Sequence, residues 1–96
     1  EEDANAKFAL AFDLDKQGAY DEALELYYQA VELYTQVGGH DCISVADTKE
    51  NIGLVYEKTG RKSEAKTLFA EAAEIRRNKL GPDHPLTRKS ERLAAQ

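Results

Sequence analysis

The sequence predicts an all-α fold of five helices, two hairpins followed by a closing helix. Three observations lead to it. The 96-residue chain matches itself at an offset of 42. Apolar residues recur at three- and four-residue steps in segment after segment, the period of a helix. No segment alternates apolar and polar residues as a half-buried strand does. At the 42-residue offset Leu10 meets Ile52, Gly18 meets Gly60, Ala23 meets Ala65, Leu26 meets Leu68, Tyr27 meets Phe69 and Ala30 meets Ala72. Glu22, Glu32, Leu33, Gly39 and Asp41 likewise meet Glu64, Glu74, Ile75, Gly81 and Asp83. These are mostly small, apolar or turn residues, the classes that packing and backbone geometry constrain. A period of about 20 to 50 residues marks a repeat architecture, and such arrays present extended concave surfaces suited to binding.

The first helix is expected over about 4–16. Phe8, Leu10, Ala11, Phe12 and Leu14 give it a broad apolar face, as for a helix packed on more than one side. Gln17-Gly18 ends it, glycine suiting the left-handed backbone after a helix. A second helix over about 20–36 carries Ala23, Leu26, Tyr27, Ala30, Val31, Leu33 and Tyr34 at helical spacing. Gly38-Gly39 breaks it, and a loop is expected as far as Ser44. The third helix, about 45–58, shows Ile52, Gly53, Val55 and Tyr56 on its packed side and stops at Thr59-Gly60. The fourth starts at or just before Ser63 and runs to Asn78 or Lys79. Leu80-Gly81-Pro82-Asp83-His84-Pro85 then forces a turn, because proline lacks an amide hydrogen and disfavours helix in the residue before it. An amphipathic closing helix spans about 86–95. Repeat one thus covers about 4–45, repeat two about 46–87, within a single domain spanning residues 1–96.

Where two helices of a hairpin cross closely, one needs a residue with almost no side chain. Gly53 and its counterpart Ala11 supply it on the first helix of each pair, Ala23 and Ala65 on the second. Tyr27 and Phe69 follow one turn later as knobs, with Leu14 and Tyr56 beside them. Leucine at Gly53 or Ala65 would overpack the crossing at a cost of about 1–3 kcal/mol or more.

Composition narrows the function. Apolar residues at 42% and charged residues at 32% describe a foldable, soluble chain. No apolar run approaches the length of a membrane span, and no basic stretch precedes an apolar segment, so neither a span nor a signal peptide is expected. An opening Glu1 in place of Met suggests a piece excised from a longer protein. The net charge of −5 is unevenly spread. Residues 1–45 hold ten acids and two bases, −8; residues 46–96 hold eight acids and eleven bases, +3. Nucleic-acid binding calls for a continuous basic face, which this distribution denies. Cys42 is the single cysteine, so no intramolecular disulfide forms and a cytoplasmic or nuclear setting is the default. With His40 nearby it falls short of the roughly three or four ligands of a zinc site. No metal or other cofactor is expected. His40 and His84 sit in loops without a nucleophile partner, and no glycine-rich phosphate loop exists, so no catalytic constellation emerges.

The interlocking residues resemble the signature of the tetratricopeptide repeat. Ile52-Gly53, Tyr56, Gly60, Ala65, Phe69 and Ala72 fall at that family's spacing, and Leu10-Ala11, Leu14, Gly18, Ala23, Tyr27 and Ala30 repeat it with substitutions. The 42-residue period exceeds the family's usual length of about 34. With the Leu80–Pro85 loop it resembles the subtype found in kinesin light chains and their many relatives. The resemblance implies a right-handed α-solenoid whose first helices line a concave peptide-binding groove. Carried over position by position, groove-facing residues are Asn5, Phe8, Phe12, Asp15 and Lys16 in the first repeat. In the second they are Asp47, Glu50, Asn51, Leu54, Glu57 and Lys58, with Lys89 and Arg92 on the last helix. Asn51 matches an asparagine that in many members hydrogen-bonds the backbone of an extended ligand, its amide offering donor and acceptor together; a helix asparagine facing water is the plainer alternative. The clamp that some members use to grip a C-terminal carboxylate needs basic and Asn side chains where this chain has Phe8 and Phe12.

The resulting expectation is an interaction module in a larger scaffold or adaptor, binding a protein or peptide segment, with no nucleic-acid or membrane partner. A second possibility is assembly, because about three repeats are usually needed for a stable array. The last helix then caps the stack, or begins a third repeat, or two chains form a homo-oligomer through an open end. The stretch Asp15–Ala23 is also similar to helical hairpins of microtubule-interacting and trafficking domains, which the Leu80–Pro85 loop and Gly53 fit poorly.

Overall fold

A computed structural model describes residues 3–96 as five α-helices: α1 (Ala4–Lys16), α2 (Tyr20–Gly38), α3 (Ile43–Lys58), α4 (Lys62–Leu80) and α5 (Pro85–Ala95). Among the described residues there is no strand. Each helix packs on its neighbours in sequence, making a slab of 34 × 32 × 18 Å. This is the stacked α-solenoid that the 42-residue self-match predicts.

Local chemistry sets the boundaries. Asp3 caps α1 by accepting the Asn5 amide at 2.9 Å. Gly39 and Gly81 follow α2 and α4 with φ of 91° and 98°, a backbone region that side-chain-bearing residues rarely enter. α2 therefore continues through Gly38 and reverses at Gly39. The expected loop to Ser44 is too long: α3 already begins at Ile43, its first turn closed by the Val45 and Ala46 amides on the Cys42 carbonyl. Nothing from Cys42 to Ser44 breaks a helix, so the chain re-enters one as soon as Gly39 has turned it. α5 likewise starts one residue early, at Pro85, whose missing N–H costs nothing in a first turn. His84 caps it, its Nδ1 accepting the Leu86 amide at 3.1 Å.

The crossings form where small residues allow them. Ala11, Ala23 and Ala65 are buried, and a Cβ built on Gly53 would lie 2.7 Å from the Phe69 ring. The ring thus rests directly on the α3 backbone. One core gathers Ala11, Ala23, Leu24, Tyr27, Ile52, Val55 and Leu68, with Leu14 and Tyr56 at its margin. A second joins Val45, Ala46, Ala72 and Ile75 and reaches α2 through Val31 and Tyr34.

Candidate binding groove

The first helices α1 and α3 and the closing helix α5 are tied in series by charged side chains. The Lys58 ammonium of α3 donates to Asp15 of α1 at 3.0 Å, and Lys89 of α5 reaches Glu50 of α3 at 3.2 Å. Asp15 is only 6% exposed and also accepts the Tyr27 hydroxyl at 3.2 Å. Burial, then the neighbouring Asp15 charge, raise the Tyr27 phenol well above its ordinary range. Two donors on one buried carboxylate fix α1 to α2 and to α3 at once.

A larger network sits between α3, α4 and α5. Arg76 of α4 is 3% exposed, and its guanidinium donates to Glu50, to Asp47 at 2.8 Å and to the Ser90 hydroxyl at 2.7 Å. It also approaches the Leu86 carbonyl at 3.5 Å, while Ser90 donates on to Glu50 at 3.1 Å. A buried cation held by two carboxylates and a hydroxyl is compensated and directional.

This arrangement sorts the residues expected to face a ligand. Asp15 and Glu50 do not present carboxylates to the surface; both are buried and paired. Lys58 and Lys89 are exposed yet engaged with those two acids, and Asp47 is held by Arg76. Phe8 is half-buried, its ring edge-on to Tyr27 with centroids 5.7 Å apart. Phe12 stands 40% exposed under the Lys16 ammonium, 4.8 Å from its centroid. Leu54 is half-buried, Arg92 exposed. Asn51 directs its amide nitrogen back to the Asp47 carbonyl at 3.2 Å, so its donor is turned toward its own helix. Glu57 lies apart, beside a small pocket of about 60 Å³ floored by Phe69 and Leu93. Asn5 and Phe8 of α1 border an open depression of about 260 Å³ with Tyr34, Ser44, Asp47 and Thr48, and Tyr34 donates its hydroxyl to Asn5 there.

Arg76 and Tyr34 escaped the sequence reading. They are 42 residues apart, on the second helix of each pair, and each reaches the first helix at another 42-residue pair, Asp47 and Asn5. An arginine directly after Ile75, on a helix whose Ala72, Ala73 and Ile75 are apolar, opposite a tyrosine in the earlier repeat, was the available signal.

Among the described residues, no group of three or more His, Cys, Asp and Glu could hold a metal ion, and no helix is long and apolar enough to cross a membrane.

Fold and side-chain arrangement define a helical repeat scaffold. Residues 2–78 match the family model described as Tetratricopeptide repeat, and the chain belongs to that family. Its repeats are a protein-interaction fold. No curated protein matches the chain in sequence. Among solved structures it is similar in fold to the crystal structure of BtubC (BKLC) from P. vanneervenii, with a TM-score of 0.83 at 21% identity. The alignment covers 94% of this chain and 37% of that one, so this chain spans little more than a third of its structural neighbour.

Proposed function

We propose that this chain is a non-catalytic binding module of a larger scaffold or adaptor, holding a short partner segment along α1, α3 and the edge of α5. The observation that favours this is the surface left between the ion-paired ties. Phe12 is exposed, Leu54 half-exposed, and the depression beside Asn5 and Phe8 is open. Internal pairing neutralises Asp15, Glu50, Lys58 and Lys89, so the ligand meets aromatic and aliphatic surface bordered by amides, the half-exposed Asp47 carboxylate and the cations Lys16 and Arg92. Asn51 keeps its amide oxygen as an acceptor for a ligand backbone N–H. The half-buried Cys42, in no disulfide, fits a reducing cytoplasm. With neither a continuous basic face nor an apolar span, the partner is a protein rather than a nucleic acid or a bilayer.

A peptide-display selection against the chain, followed by anisotropy titration of the best sequence, tests this reading. Phe12→Ala and Asn51→Ala should each weaken binding by about tenfold, roughly the loss of one well-placed contact. Unchanged affinity in both variants would place the ligand elsewhere. The competing reading, assembly through exposed Leu10 and Phe12 on α1, is favoured by their being large apolar side chains left uncovered. Light scattering over a concentration series separates the two, since a strict monomer excludes self-assembly.

A further inference from the structure

The two repeats treat one equivalent location differently, and the difference specifies a ligand group. The depression between α1, α2 and α3 is bordered by Asn5, Phe8, Tyr34, Ser44, Asp47 and Thr48. Advancing each number by 42 gives Asp47, Glu50, Arg76, Leu86, Lys89 and Ser90. Those are the residues of the Arg76 network: the guanidinium, its two carboxylates, its hydroxyl and carbonyl contacts, and the lysine completing Glu50. In the second repeat, then, the notch is filled by an arginine from its own α4. In the first repeat Tyr34 stands where that arginine would begin, leans onto Asn5, and leaves about 260 Å³ open.

We propose that this open notch receives one arginine side chain of the bound partner segment, an assignment that rests on the groove reading above and names the chemistry it selects. Asp47 supplies the charge. Its side chain is 47% exposed while one oxygen holds Arg76, leaving the carboxylate accessible to a second guanidinium. Phe8 stands where the Arg76 notch has Glu50, so a ring replaces a carboxylate and offers a face for a planar cation to stack on. Tyr34, whose phenol is raised by burial and then by Asp3 and Asp47, lies in the negative potential of those two acids. A planar, forked cation suits one ring and one carboxylate better than the compact ammonium of lysine does.

The test is an ¹H–¹⁵N NMR titration of the full chain with acetyl-Gly-Arg-Gly-amide and with its citrulline counterpart, near-isosteric but uncharged. The arginine peptide should shift the amides of Asn5, Tyr34, Ser44 and Asp47 and saturate about tenfold earlier than the citrulline peptide, as one charge-assisted contact allows. Tyr34→Arg places an occupant in the notch from within the chain and should abolish the response. Should that variant fail to fold, Asp47→Asn, verified by circular dichroism, should abolish it instead. Equal response to both peptides, shifts located elsewhere, or undiminished binding in the folded variant would overturn the proposal. Display selection separates it from the wider reading. Groove binders with no arginine preference sink the notch and keep the groove; an arginine response without any displayed binder does the reverse.

Discussion

Gly53 shows how one atom decides packing at the residue scale. Alanine there gains about 1 kcal/mol in helix propensity, but its Cβ would sit 2.7 Å from Phe69, a ring buried to 1% exposure with little room to retreat. Overpacking of about 1–3 kcal/mol should prevail, so Gly53→Ala lowers the urea midpoint and Gly53→Leu lowers it further. Arg76 is the opposite case, a large group whose removal matters through what it leaves behind. Arg76→Ala leaves the buried Glu50 carboxylate with only Lys89 and Ser90 and should cost about 3 kcal/mol in chemical denaturation, the low end for a broken buried pair. Tyr34→Phe, at the equivalent place on the surface, loses one hydrogen bond and should cost about 0.5–1.5 kcal/mol. Tyr27 adds a pH dependence. Its folded phenol is raised above the ordinary value near 10 by burial first and by Asp15 second. The folded state therefore holds that proton when the unfolded chain has lost it. Its contribution is complete below pH 10 and disappears as pH climbs above 10, so unfolding free energy should fall across that alkaline range. Tyr27→Phe should flatten the fall.

Helices are where sequence reading succeeded, because periodicity and glycine stops are local signals. All five were legible, and the ends of α1 and α3 were fixed by Gly18 and Gly60, both at positive φ. The start of α3 was misplaced because absence of a breaker from Cys42 to Ser44 is a weaker cue than the presence of one at Gly39. The groove was legible only in outline. Spacing puts Asp15, Glu50 and Lys58 on the first helices, but whether a carboxylate meets a ligand or a neighbouring helix depends on contacts 26 to 43 residues away in sequence. No local pattern encodes such partners. The α5 boundary supplies an element-scale prediction. His84 is its cap, so His84→Ala should cost about 1 kcal/mol, visible as a lower thermal midpoint with helical content near unchanged at 20 °C.

Across the whole molecule, the two repeats share one apolar core, and at its edge the buried Asp15 carboxylate joins three helices. It joins the second helix of its own pair through Tyr27 and the first helix of the next through Lys58. The chain has five tyrosines and no tryptophan, so phenol emission is unmasked. A guest that changes the curvature of the array must stretch or relax that three-way joint, altering the carboxylate that sits against one phenol. The protein therefore carries a built-in optical gauge of its own bending: occupancy that flexes the stack should register as a change in tyrosine fluorescence, and the change should shrink in Tyr27→Phe while occupancy persists.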